Sequence, residues 1–346
     1  MARIRRLTTL TRDGMHNAFT DLIYWHDMYV VSYRKGAGHI SGDGQAVVAI
    51  SSDRQRFTEV ARVKVNGDTR DPKLVPLADG RLAMLIAVWI EGVAARKLQQ
   101  FISFSDDACN WSRPQPICEP DQWLWRVRLH EGRYYGLQYG AMPGGSLRRE
   151  ETERQHQLMV SEDMLHWQSV ARIGPTDRLL GESDIAFQED GEAWVVVRSN
   201  NGSGNAFFAS ARPPYTDWAV TELEGGMIHA PVILRHRGVH YVAGRARLSD
   251  MGMSGFSQAG TATTGVWRLD KGRVTPVLNL PAAGDCSYCG LIEDPEGRVC
   301  LSYYSQHAYI FGVEPFAYRY HDDPVERPVG DLIAKADIYF AELELP

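Results

Sequence analysis

Ser161-Glu-Asp163-Met-Leu-His-Trp167 has a pattern of serine, aspartate and aromatic residue that recurs along the chain and indicates its fold. Two earlier copies, Ser51-Ser-Asp53-Arg-Gln-Arg-Phe57 and Ser105-Asp-Asp107-Ala-Cys-Asn-Trp111, begin at steps of 54 and 56 residues. Residues 210–218 form a degenerate fourth copy. In each copy the serine and aspartate can bind backbone N–H groups of their own turn, and the aromatic ring can fill the space between sheets. We therefore expect these turns to be structural.

A second repeat, in register with the first, consists of an apolar run, a tight turn and another apolar run. Its period near 50 residues, with several strands per period, is typical of a β-propeller, in which each repeat forms one blade. The sequence predicts an all-β fold: one six-bladed propeller domain over residues 1–346, with four-stranded antiparallel blades. Residues 3–9 are expected to supply the last strand of the sixth blade and so close the ring. The turns are at His26-Asp27, Gly80, Gly132, Gly191, Gly238 and Gly297.

Composition limits the classes of partner. The net charge of −6, with both signs mixed along the chain, argues against nucleic acid and against an anionic membrane surface. No apolar run is long enough to span a bilayer, and the basic N-terminus lacks the apolar segment of a signal peptide. Five cysteines, an odd number, fit a reducing compartment, so we expect a cytoplasmic protein. The sequence predicts no particular oligomeric state.

No metal or cofactor is expected. Cys286-Ser-Tyr-Cys289 has C-x-x-C spacing, but it precedes a predicted strand rather than a helix, and no second pair accompanies it. The sequence also lacks an H-E-x-x-H motif and an acidic metal-binding loop.

The candidate site lies on one rim of the propeller. Because neighbouring strands are antiparallel, the start of each innermost strand and the end of the next strand lie on that rim. The residues predicted there are carboxylates, guanidinium groups, imidazoles and aromatic rings, which is typical of a funnel that binds a small molecule or a glycan. Of Trp123 and Trp125, only Trp125 is expected to face the funnel. The candidate binding residues are Arg34, His39, Arg70, Trp125, Arg126, Arg198, His229, Arg245, Asp285, Tyr304 and His307.

Several segments resemble motifs of the sialidase superfamily, beginning with the serine–aspartate turns, which resemble its Asp-boxes. Residues 181–191, followed by the run ending at Arg198, are similar to the family's strand with the catalytic glutamate and then one arginine of its carboxylate-binding triad. Residues 285–291 resemble the segment that holds the nucleophilic tyrosine. The resemblance implies an exo-glycoside hydrolase for a small acidic or polyhydroxylated sugar. It implies Tyr288 as nucleophile and Glu182 as its base, with Arg198 and Arg245 on the anionic group.

Blade 1 departs from the family pattern. Where sialidases have the first triad arginine in an Arg-Ile-Pro stretch, this chain has residues 16–21, His-Asn-Ala-Phe-Thr-Asp. The family's acid/base aspartate also has no clear counterpart. We expect Asp71 to be the acid, deep in the funnel near Asp21 and with Arg70 directed away from it. Asp21 and Asp43 are the alternatives for this acid, and Arg70 or Arg126 could supply the third guanidinium group.

Other functions fit the same rim. Asp21, Arg70-Asp71-Pro72 and Glu182 look like the carboxylate set of five-bladed glycosidases that cleave fructosides and arabinosides. That reading makes the protein an inverting Asp/Glu glycosidase. A sugar-acid lyase would use a tyrosine or histidine as base and arginines on the carboxylate. A propeller that binds carbohydrate without cleaving it is the third alternative.

Overall fold

The computed structural model describes residues 2–90, 97–141, 154–252, 262–310 and 334–346. Within these ranges the strands form six antiparallel sheets of four strands each, arranged as a six-bladed propeller. The fold class predicted from the repeats is confirmed. Apolar clusters lie between successive blades, because each sheet is covered on both faces by its neighbours.

Five blades use four consecutive strands, with the first strand innermost. Blade 1 contains β2 (His16–Trp25), β3 (Met28–Gly36), β4 (Gln45–Ser51) and β5 (Thr58–Val63). Blade 2 contains β6 (Asp68–Pro76), β7 (Leu82–Ile90), β8 (Lys97–Ser105) and β9 (Gln115–Ile117). Blade 3 contains β10 (Gln122–His130), β11 (Arg133–Ala141), β12 (Arg154–Ser161) and β13 (Gln168–Arg172). Blade 4 contains β14 (Leu180–Phe187), β15 (Ala193–Ser199), β16 (Phe207–Ala211) and β17 (Ala219–Glu222). Blade 5 contains β18 (His229–His236), β19 (Val239–Arg247), β20 (Ala262–Asp270) and β21 (Arg273–Leu280).

Blade 6 joins the two ends of the chain. It contains β22 (Cys286–Glu293), β23 (Val299–Ser305), β24 (Asp337–Glu344) and, outermost, β1 (Arg3–Thr9). Strand β1 pairs antiparallel with β24, as the sequence predicted. This pairing gives the last blade four strands, as in the other five, and so closes the ring.

Helix is scarce in the described ranges, which hold a 3₁₀ turn at Ser249–Met251 and the short α1 (His307–Ile310). No helix among the described residues has the length and apolar character needed to cross a membrane. All five cysteines are free thiols, including Cys286 and Cys289.

The serine–aspartate turns have the hydrogen bonds expected of them. The Oδ1 atom of Asp53 accepts from the backbone N–H groups of Gln55 and Arg56 at 2.8 and 2.9 Å. The corresponding oxygens of Asp107 and Asp163 accept equivalent pairs at 2.7–2.9 Å. These bonds stabilise the ionised form, and they lower the pKa of Asp53 to about 2.

A β-bulge in every innermost strand positions the site. Each of the six strands shifts register by one residue against its neighbour, and a bulge redirects a side chain. Four bulge residues also have a positive φ between 47° and 58°, a strained conformation for a residue with a side chain. The residues at the bulges are Phe19, Asp71, Trp125, Glu182, Ala230 and Tyr288, one from each blade.

Candidate active site

Tyr288 and Glu182 meet across the funnel, although they belong to blades 6 and 4. The Tyr288 hydroxyl donates to Glu182 Oε1 at 2.8 Å. Arg198 Nη1 donates to both carboxylate oxygens of Glu182, at 2.7 and 2.9 Å, and lies 3.3 Å from the Tyr288 oxygen. The structure therefore brings together the tyrosine, glutamate and arginine that the sialidase resemblance singled out.

The charges of Tyr288, Glu182 and Arg198, which we call the triad, determine the protonation states of the tyrosine and the glutamate. Burial and the charge of Glu182 raise the pKa of Tyr288 well above its ordinary value, although Arg198 and Arg245 oppose that shift. Burial also raises the pKa of Glu182, but Arg198 and the Tyr288 hydroxyl outweigh it, so that the net pKa is lowered. At neutral pH the pair is thus a neutral phenol beside an ionised carboxylate that can accept its proton.

Asp71 has the character of a proton donor. Its Oδ1 atom is buried without a hydrogen-bond partner, while Oδ2 accepts from Arg70 Nε at 2.9 Å. Burial raises the pKa of Asp71, and the charge of Glu182 adds to this, so that the net pKa is raised despite Arg70 and Lys73. The expectation that Arg70 turns away from Asp71 is wrong. The positive φ of 50° at the Asp71 bulge breaks the strand alternation on which it rested.

Asp285 is the centre of a second polar group, which we call the Asp285 hub. Its Oδ1 atom accepts from Arg245 Nη2 at 2.8 Å and from the Tyr304 hydroxyl at 2.6 Å. Its Oδ2 atom lies 3.1 Å from His16 Nε2 and 2.5 Å from His39 Nδ1. Burial raises the pKa of Asp285, but the histidines and Arg245 hold it well below its ordinary value. The hub joins blades 1, 5 and 6 through one carboxylate.

The hub also offers the one metal-like cluster that the described residues contain, since the ligand atoms of His16, His39 and Asp285 lie within 4.8 Å of one another. Four donors already occupy the two oxygens of Asp285, which is the capacity of a carboxylate. Arg34 Nη1 also points to His16 Nδ1 at 3.5 Å, which makes that nitrogen the acceptor and places the proton on Nε2. The cluster therefore fits a hydrogen-bond hub better than a metal site.

A cluster of aromatic rings on blade 3 packs against Tyr288. Trp125 lies edge-on to Tyr288 with centroids 5.7 Å apart, and Trp123 stacks on Tyr139 at 5.7 Å and 18°. The two tryptophans contact each other at 5.4 Å, and both are buried. That Trp125 alone faces the funnel stays a prediction.

Asp21 and Arg126 bind each other and neighbouring blades rather than Tyr288 or Glu182. Asp21 Oδ1 accepts from Arg126 Nη1 at 2.9 Å, and its Oδ2 accepts from the Leu74 N–H at 2.9 Å. Arg126 Nη2 also donates to the Cys289 carbonyl at 2.6 Å. Both carboxylate oxygens of Asp21 thus bind the neighbouring blades 2 and 3, which favours a structural role over the catalytic one predicted for it.

Other predicted residues are held by local partners. Buried Arg34 donates to Asp68 Oδ1 at 2.7 Å and to the Gly38 carbonyl at 2.8 Å, and so ties down the loop that carries His39. Asp43 accepts from the Ala37 N–H in the same loop.

Two predicted histidines differ from each other. His307 contacts Ser305 and the ring of Tyr339 on blade 6, rather than the triad. His229 is neutral, because burial lowers its pKa well below the ordinary value and Arg198 and Arg245 lower it further. Its Nδ1 atom is buried without a partner.

Sequence reasoning missed Phe19, whose ring lies at the centre of the site. It packs against Tyr288 at 5.1 Å and His39 at 5.3 Å, and the Arg70 guanidinium lies 4.5 Å from its centroid. It also missed Asp68, which binds Arg34 and Arg70. The signal was available for Phe19, since it stands in the stretch that replaces the sialidase Arg-Ile-Pro.

Solved structures share this architecture. A protein of unknown function from Dyadobacter fermentans has a TM-score of 0.76 at 15% identity, covering 100% of this chain and 99% of that one. The GH93 α-L-arabinofuranosidase of Fusarium graminearum, in complex with arabinobiose, has a TM-score of 0.68 at 10% identity, covering 99% and 97%. Trypanosoma rangeli sialidase has a TM-score of 0.62 at 10% identity, covering 98% of this chain and 58% of its own. No protein-family model and no curated protein matches the sequence. The likeness shows a shared fold.

Proposed function

We propose that this protein is a glycoside hydrolase that cleaves a neutral, polyhydroxylated sugar in its funnel. Tyr288 is the nucleophile, Glu182 its base and Asp71 the acid. The observation that carries the proposal is the 2.8 Å hydrogen bond from the Tyr288 hydroxyl to Glu182 Oε1. A phenol needs such a base, because its ordinary pKa of about 10 leaves it protonated at neutral pH.

In the first half of the reaction the Tyr288 oxygen forms a bond to the anomeric carbon, and its proton moves to Glu182. The bond from that carbon to the leaving oxygen breaks, and Asp71 gives this oxygen a proton. In the second half Asp71 removes a proton from water, which attacks the anomeric carbon and breaks the bond to tyrosine. Glu182 returns the proton to the Tyr288 oxygen, so both carboxyl groups end as they began.

The charge balance of the site favours a neutral substrate over an acidic one. Arg198 is bound to Glu182, Arg245 to Asp285, and Arg70 to Asp68 as well as to Asp71. A substrate carboxylate would have to displace one of these buried carboxylates, which is unfavourable because the displaced charge would lose its partner. The arabinobiose complex of the Fusarium enzyme makes neutral pentofuranosides the first substrates to test.

The test is hydrolysis of a panel of aryl glycosides of neutral pentoses and hexoses, with an aryl sialoside beside them. We expect release of the aryl alcohol from a neutral member and none from the sialoside. Tyr288→Phe and Glu182→Gln should each lower kcat/KM for that substrate by about a thousandfold or more. The matched control is Tyr303→Phe on the same blade, whose buried hydroxyl donates to the Pro281 carbonyl and should not affect turnover.

The alternatives give different products. Inversion of the anomeric centre, read by NMR during turnover, would assign the chemistry to Asp71 and Glu182 without a tyrosyl intermediate. A product that absorbs in the near ultraviolet would indicate a lyase. Binding of glycans with no turnover by the wild-type protein would indicate a carbohydrate-binding propeller, and in either of these last two cases the hydrolase proposal is wrong.

A further inference from the structure

A small cavity lies on the propeller axis beyond the bulges, on the side away from the reacting groups. Its walls come from the innermost strands of blades 1, 2, 3, 5 and 6. It offers about 20 Å³ to the centre of a water-sized sphere, which is room for one water molecule or one ion of similar size. Its charged lining residues are Asp21, Lys73, Arg126 and Arg128.

The Asp21 carboxylate in this cavity has hydrogen-bond donors on both oxygens, whereas Arg126 and Lys73 have N–H groups left to donate. Both oxygens of Asp21 are bound, one by Arg126 and the other by the Leu74 N–H. Arg126 is 6% exposed and its Nε atom is buried without a hydrogen-bond partner. The Lys73 ammonium, 2% exposed, donates to the Thr20 carbonyl at 2.9 Å and has three N–H groups to place. A bound species that accepts hydrogen bonds would satisfy these donors.

The net charge of the side chains that line the cavity also favours an anion. Arg128 is neutralised by Asp184, with contacts of 3.1 and 2.6 Å. Lys73 and Arg126 then share the charge of Asp21, since Asp71, the other carboxyl group that acts on Lys73, is bound by Arg70. This leaves one positive charge in excess around the cavity. An uncompensated buried charge is costly, and a monovalent anion of the right size removes that cost.

We propose that this cavity binds one chloride ion, held by the Lys73 ammonium and Arg126 Nε. The ion binds only the folded protein, in which the innermost strands form the cavity. It therefore stabilises the native state by mass action. This role is separate from the hydrolase chemistry and does not depend on it.

The test compares melting temperatures in sodium chloride and in sodium gluconate, an anion too large for the cavity, at equal ionic strength. At a hundredfold excess over its dissociation constant, chloride should raise the melting temperature by about 4 °C. Lys73→Met should abolish this increment. Lys271→Met, which removes an exposed lysine paired with Glu192, should keep it.

A crystal grown in sodium bromide gives a second measurement that needs no variant. We expect one anomalous peak between Lys73 and Arg126 at bromide concentrations that saturate the melting shift. Equal melting temperatures in chloride and gluconate, or a water molecule in the cavity of the bromide crystal, would overturn the proposal. It therefore stays testable even if Lys73→Met does not fold.

Discussion

Asp71 and Asp285 are both buried carboxylates near the start of an innermost strand, yet their surroundings differ. Asp285 accepts from four side chains on three blades, whereas Asp71 has one oxygen on Arg70 and the other without a partner. Accordingly, the net pKa is lowered for Asp285 and raised for Asp71. A carboxylate whose acceptor positions are filled organises the fold, and one with an unfilled position can exchange a proton with a substrate.

Loss of the Asp285 charge should have the largest effect on stability. Asp285→Asn leaves the Arg245 guanidinium buried without its carboxylate, which should lower the free energy of unfolding by about 3–5 kcal/mol. Urea unfolding measures this. Asp190→Asn, at an exposed pair with Arg212, is the control and should change it by less than about 1 kcal/mol. An equal, small change in both variants would contradict the organising role.

Asp71→Asn should have a large effect on turnover and a smaller effect on folding than Asp285→Asn, because Arg70 keeps its ion pair with Asp68. Cleavage of glycosides with poor leaving groups should fall by about a hundredfold to a thousandfold, because no group protonates the leaving oxygen. Activated aryl glycosides should keep part of their rate, since their leaving groups depart without a proton. Equal losses on both substrates would show that Asp71 is not the acid.

These residues show how much of the candidate site the sequence predicts. The repeats predicted the blades, and the antiparallel rule placed Tyr288, Glu182 and Asp71 on one rim. The rule fails at the bulges, because one extra residue changes which face the following side chains occupy. For this reason Asp21 was expected in the funnel and binds Arg126 instead.

The Asp285 hub was hidden for a different reason. Its partners come from blades 1, 5 and 6, and their geometry depends on a closed ring and on the conformation of the loop that carries His39. No local pattern in one sequence encodes contacts over such separations. Asp285 and Arg245 could be assigned to the rim, but not to each other.

The hub should also make stability depend on pH. Burial lowers the pKa of His39 to about 4 in the folded state, despite Asp285, whereas its ordinary value is 6.5. The unfolded chain therefore binds this proton first, so stability should fall as the pH drops from about 6.5 to about 4. His39→Gln should flatten the pH dependence of the urea midpoint in this window. His166→Gln, on an exposed outer turn, should not, and an unchanged slope in His39→Gln would contradict the assignment.

The smallest effect is expected at Asp163, which has as many donors as Asp285 but lies in an exposed turn. It accepts from two backbone N–H groups, Ser161 and His166, and these bonds lower its pKa even though burial raises it. Water can replace lost partners here, so Asp163→Ala should lower the melting temperature by only about 1–2 °C. Asp163→Asn keeps an oxygen for the two N–H groups and should behave nearly as the wild type. A loss from Asp163→Ala as large as that from Asp285→Asn would show that burial is not what separates the two carboxylates.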